Sequence, residues 1–176
     1  MSNDKLSASL EDYLEAIYHL VREHRVARVK DIATRLDVHK SSVTGALHAL
    51  ADRELIHYEP YGFVTMTDRG RGLGAEIVRR HEILRDFFVN VLEVNADTAE
   101  RAACRMEHAL PRSIVTRLSE FSEFLDKCPR AGDEWIRKCW TSYGANPDPA
   151  ECEACVERCR TSVLERRAKE EAEVSE

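Results

Sequence analysis

Leu6, Leu10, Tyr13, Leu14, Ile17, Leu20 and Val21 recur at the three- and four-residue steps of a helix, so residues 6 to 24 predict an amphipathic first helix. A shorter apolar run predicts a second helix from Val29 to Leu36, followed by Asp37-Val38-His39-Lys40 as a tight connection. Val43, Ala46, Leu47 and Leu50 form the inward stripe of a third helix, from about Ser41 to Glu54. Two short helices joined by so brief a turn predict a helix-turn-helix. Leu55 to Glu59 and Phe63 to Thr67 have strand character on either side of the turn Pro60-Tyr61-Gly62. A hairpin directly behind a reading helix is the wing of a winged helix.

A long helix is expected from Asp68 to Val91, and its apolar positions Leu84, Phe87, Phe88 and Val91 run beyond what a winged helix could cover. Residues 97 to 110 predict a further helix that stops before Pro111, and Pro111 suits the first turn of the next, through about Leu125. With Val115, Leu118, Phe121 and Phe124 apolar, these helices look like a dimerisation unit.

The reading helix exposes Lys40, Ser41, Ser42, Thr44, Gly45 and His48 at its start and along its outer face. Short hydroxyls there can bond phosphates or base edges, and Gly45 removes a side chain where the helix would approach a groove. Ser41 and Ser42 can equally cap the helix. Arg28, Lys30, Lys40 and Tyr61 on the wing are phosphate-contact candidates. The formal charge of -6 argues against a nucleic-acid partner, but its distribution changes the picture. Residues 1 to 80 hold 12 basic and 12 acidic residues, leaving 14 and 20 beyond. A neutral N-terminal part can still carry a basic face.

The candidate chemistry lies on two of the helices. Cys104, Glu107 and His108 stand at i, i+3 and i+4, which puts a thiol, a carboxylate and an imidazole on one helical face. Asp12 and Glu15 stand at i and i+3 opposite the apolar stripe of the first helix, with His19 on the same face. Mixed donors of this kind suit a borderline first-row divalent ion such as iron, manganese, cobalt or zinc. For Asp12 and Glu15 alone a solvated polar face is the better reading; the combination with His81 and the second ligand helix reverses it.

Apolar residues at 43% and charged ones at 33% describe a globular chain, with no run long enough for a membrane span and no opening signal segment, so a cytoplasmic location is expected. Six cysteines in that setting point to metal rather than disulfides. Cys128, Cys139, Cys152, Cys155 and Cys159 form a second tentative site, as structural zinc or an iron-sulfur cluster.

Ser9 to Tyr18, Val38 to Thr44, Arg80 to Leu84 and Cys104 to His108, in that order, resemble the diphtheria toxin repressor and manganese transport regulator family of metal-activated transcriptional repressors. The resemblance covers roughly residues 6 to 125. It implies a metal site built from Asp12, Glu15, His81, Cys104, Glu107 and His108, with Fe(II) or Mn(II) as co-repressor. Asp12 and Glu15 look like the manganese branch. Cys104 stands where the iron branch has its thiol, and Arg85 where that branch has a carboxylate.

The expected protein is mainly α. A winged helix-turn-helix DNA-binding domain (1–72) precedes an all-helical metal-binding and dimerisation domain (73–126), a Cys-rich segment (127–164) and a charged tail (165–176). It would be a homodimer that binds double-stranded DNA with inverted repeats and takes no small-molecule substrate. A hydrolytic enzyme is the weaker reading, because no substrate cleft is evident. A metal-independent winged-helix regulator, or a redox sensor acting through the C-terminal cysteines, is the alternative.

Overall fold

The computed structural model describes residues 6–59 and 62–127, together with 153, 154, 157, 160, 161 and 165. Tyr61, Cys128, Cys139, Cys152, Cys155 and Cys159 lie outside the described residues. The chain divides into two compact units, residues 1–85 with 100–110, and residues 86–99 with 111–176.

In the first unit, α1 spans Ala8–His24, with Ser7 Oγ accepting from the Leu10 amide at its start. Arg25, in the left-handed region at φ 68°, ends it. α2 runs Val29–Leu36, as its apolar pattern requires, and Asp37 closes it at φ 52°. α3 is Lys40–Ala51 and buries Val43, Ala46, Leu47 and Leu50 against Leu14, Ile17 and Ile32. Its N-cap is His39, so neither Ser41 nor Ser42 caps it; both stand exposed in its first turn.

The wing is shorter than its apolar pattern suggests. β1 is Ile56–His57 and β2 is Thr65–Met66, antiparallel with Ile56 opposite Met66 and His57 opposite Thr65. The strand carrying β2 then pairs elsewhere. Val64 and Ala27 exchange both backbone bonds, at 2.8 and 2.9 Å, which fastens the wing to the segment between α1 and α2.

Thr67 joins the wing to α4, Asp68–Asp86. Its hydroxyl donates to the Glu54 carbonyl at 2.8 Å and accepts from the Gly70 amide at 3.0 Å. Gly70 has to be glycine, since a Cβ there would lie 1.8 Å from the Leu55 carbonyl oxygen. The single helix expected from Asp68 to Val91 gives way at Phe87–Val91 to a π-helical turn, in the second unit.

α5 is Ala96–Met106, not 97 to 110. Beyond it the chain continues as a turn in which the Ala109 and Leu110 amides both reach the Met106 carbonyl at 3.0 Å. In the second unit, α6 spans Arg112–Lys127 and buries Val115 and Leu125, the latter packed with Val91, Phe87 and Leu92. Phe121 and Phe124, expected on the apolar side of a dimerisation helix, are 48% and 56% exposed. Among the described residues no helix is long and apolar enough to cross a membrane.

Candidate metal centre and nucleic-acid surface

The early end of α5 changes how its donors are presented. Cys104 lies on the helix, whereas Glu107 and His108 lie in the turn after it. The Glu107 amide still reaches the Ala103 carbonyl at 2.9 Å, which turns its side chain inward, where it has no exposed surface.

His108 Nε2 lies 2.8 Å from Asp12 Oδ1 and 3.1 Å from Glu107 Oε1. Asp12, Glu107 and His108 each offer one donor atom, all within 4.8 Å of one another. Glu107 Oε1 is buried without a hydrogen-bond partner, the contact with His108 being too poorly aligned to count. The other Glu107 oxygen meets His81 Nδ1 at 2.7 Å, and His81 Nε2 meets Glu100 at 3.1 Å.

These contacts dictate the electrostatics. The hydrogen bond to Glu107 pushes the His81 pKa up to about 9, against the pull of burial. Burial pulls His108 down, but its bond to Glu11 and the charges of Glu107 and Asp12 outweigh that, so it too is raised. Burial, then the neighbouring Glu107, raises Glu15. Partial burial and the charges of Glu107, Asp12, Glu15 and Glu100 raise the Cys104 thiol. The centre thus gathers an excess of carboxylates around two imidazoles, and that negative charge raises the pKa of both rings.

Such a donor set fits a divalent cation. Two acceptor oxygens and a ring nitrogen converge, and one buried oxygen lacks a partner. Asp12, Glu107 and His108 form the compact cluster, with His81 bonded to Glu107. Glu15 and the exposed Cys104 lie within electrostatic range rather than in the cluster. His19 lies 3.7 Å from Glu15.

Three participants escape a reading from sequence: Glu11, Arg80 and Glu100. Glu11 Oε2 lies 2.7 Å from His108 Nδ1 and 3.1 Å from Arg80 Nη2. Arg80 Nη1 donates to the Glu107 carbonyl at 3.2 Å. A signal for Glu11 was present, since it stands three residues before Leu14 and six before Ile17, on the buried stripe of α1.

Also in the first unit, a groove of about 850 Å³ is lined by α2, α3 and the wing. Arg28, Lys30, Lys40, Thr44 and His48, all proposed DNA contacts, line it. Ser41, Ser42 and Gly45 are exposed on the same helix, and a Cβ at Gly45 would touch nothing within 4 Å. Phe63 and Tyr58 belong to this wall too. The Arg28 guanidinium stacks 5.0 Å from the Phe63 ring centroid, and His48 packs edge-on against Tyr58 at 5.4 Å.

Comparison with known proteins bears on both regions. Residues 5–64 match the family model of the iron dependent repressor N-terminal DNA binding domain, and residues 67–136 that of the iron dependent repressor metal binding and dimerisation domain. An uncharacterised helix-turn-helix transcriptional regulator of Methanocaldococcus jannaschii is 36% identical over 124 residues, 69% of this chain and 99% of that protein. The transcriptional regulator MntR of Geobacillus kaustophilus is 36% identical over 122 residues, 69% of this chain and 86% of that protein. A solved manganese-dependent transcriptional repressor in complex with manganese is similar in fold, at a TM-score of 0.60 and 30% identity over 69% of this chain. The match spans 56% of that longer chain. These comparisons lend no support to zinc or an iron-sulfur cluster at the C-terminal cysteines.

Proposed function

The chain belongs to the diphtheria toxin repressor and manganese transport regulator family of metal-dependent transcriptional repressors, and from that premise we propose that it is a homodimeric repressor switched on by Fe(II) or Mn(II). The family consists of DNA-binding regulators, not enzymes. The observation that carries the proposal is the convergence of Asp12, Glu107 and His108 around a buried carboxylate oxygen that has no partner.

Asp12, Glu107 and His108 would hold the cation, with Glu15, His81 and Cys104 completing the set. When bound, a divalent cation supplies the positive charge that lets these acceptors converge. Asp12 and Glu15 come from α1, which packs directly on α2 and α3. Drawing the two carboxylates toward Glu107 and His108 therefore constrains the helix that supports the reading heads. Carboxylates favour manganese and a Cys104 thiolate would favour softer ions; of the two candidate ions, Fe(II) and Mn(II), the thiol tilts the reading toward Fe(II).

Lys40, Ser41, Ser42, Thr44, Gly45 and His48 would face the major groove, and Arg28, Lys30 and Tyr61 the phosphates. Equivalent reading helices in a dimer sit about 34 Å apart, one turn of DNA, so the operator would be an inverted repeat. The genes controlled would be those of metal homeostasis, and the protein would act in the cytoplasm.

The test is DNA binding with and without each ion, on operator selected from a randomised pool. Micromolar Fe(II) or Mn(II) should raise affinity about 5- to 150-fold, the range of ordinary allosteric coupling. Equal affinity in chelator would reject metal activation and favour a metal-independent regulator.

A further inference from the structure

Glu11 and Arg80 are charged groups beside the candidate donors for which the metal-site reading has no use. Glu11 is only 7% exposed, on a helix face whose other buried residues are Tyr13, Leu14, Ala16, Ile17 and Leu20. A buried ion pair is seldom more stabilising than apolar packing of the same volume, so its presence calls for another reason.

The geometry supplies one. A single Glu11 oxygen holds His108 Nδ1 at 2.7 Å and is itself held by Arg80 Nη2 at 3.1 Å. The same guanidinium donates to the backbone carbonyl of Glu107 at 3.2 Å. An imidazole whose Nδ1–H donates to a carboxylate carries its free lone pair on Nε2. In this molecule Nε2 is the nitrogen that faces Asp12 Oδ1 and Glu107 Oε1. With its lone pair on Nε2, His108 would offer a divalent cation a third donor beside these two oxygens.

We propose that Glu11, held by Arg80, is a positioning residue that sets the tautomer and ring orientation of His108, so that its Nε2 is presented to a divalent cation. Glu11 is not itself a donor to the ion. The inference rests on the reading of His108 as a ligand, and its test keeps the two apart.

Co(II) reports its own coordination through ligand-field absorbance, independently of DNA. Titration of wild type, Glu11→Ala, Glu11→Gln and His108→Ala with Co(II) alone gives both a Kd and a spectrum. Loss of a carboxylate that orients a ligand histidine weakens metal binding about 10- to 100-fold, so Glu11→Ala should raise the Kd by that factor and shift the bands. Glu11→Gln keeps an oxygen for the Nδ1–H to reach and should recover most of the loss. A merely structural Glu11 would change thermal stability but leave Kd and spectrum as they were. Should Glu11→Ala fail to fold, Arg80→Gln frees the same carboxylate, and a Kd raised about tenfold is expected. Wild-type Co(II) binding by Glu11→Ala or Arg80→Gln, alongside loss of binding in His108→Ala, overturns this inference and leaves the metal site standing. Wild-type binding by His108→Ala overturns both.

Discussion

The candidate metal centre and the candidate DNA-binding groove lie in one compact unit and are built on opposite principles. In the centre the charges are packed together, Glu11 and Glu107 buried and Asp12 half-exposed, and each leans on the next: Arg80 on Glu11, Glu11 on His108, His108 on Asp12, Glu107 on His81. In the groove the charges of Arg28, Lys30 and Lys40 are exposed and stand apart, with Phe63 and Tyr58 as walls. Interactions strengthen one another where water is absent and are screened where it is present. One substitution should therefore disable the centre, while substitutions in the groove should erode DNA binding by steps.

The sharpest way to break this contrast is His108→Ala. All metal-dependent gain in operator affinity should disappear, about 5- to 150-fold, while sedimentation still shows a dimer. A partial loss would mean that the centre tolerates deletion as the groove does. Next comes Cys104→Glu, which replaces an exposed thiol by a hard donor. Activation measured by operator binding should move toward Mn(II), and an unchanged order of ions would show that Cys104 is not a ligand.

In the groove, Arg28→Ala and Lys40→Ala should each weaken binding uniformly across DNA sequences, and each should lower the slope of log K against log salt by about 1. Phe63→Ala removes the ring under Arg28, an exposed cation–π contact worth about 0.5–1 kcal/mol, and should lower affinity a few-fold. Losses from Arg28→Ala and Phe63→Ala that fail to add would show local coupling in the groove as well.

The smallest effect expected is that of pH on the metal-free protein. The His81 pKa is raised to about 9 by Glu107, so the protonated ring stabilises the folded state. That contribution is whole below the unfolded value near about 6.5 and is lost as pH rises through about 9. The melting temperature in chelator should fall across this window, and His81→Gln should flatten the fall. Groove variants should leave it unchanged.

Helix periodicity is a local property, and it was enough to place α1, α2 and the buried face of α3, down to the bounds of Val29–Leu36. The exposed positions of α3 were legible for the same reason, because a residue on a helix faces away from the stripe wherever the helix goes. Pairing between distant segments was not. Val64 also bonds to Ala27, which no pattern within the hairpin announces. Spacing and resemblance picked out Asp12, Glu107 and His108 as candidate donors, and these are the three that the fold brings together. The tertiary structure alone decided that α5 ends at Met106, that Asp12, Glu107 and His108 converge, and that Glu15 and Cys104 stand outside their cluster. It alone brought Glu11 to Arg80 across 69 residues and to His108 across 97. A buried charge is tolerable only beside its partners, and partners so far apart along the chain meet only after it has folded.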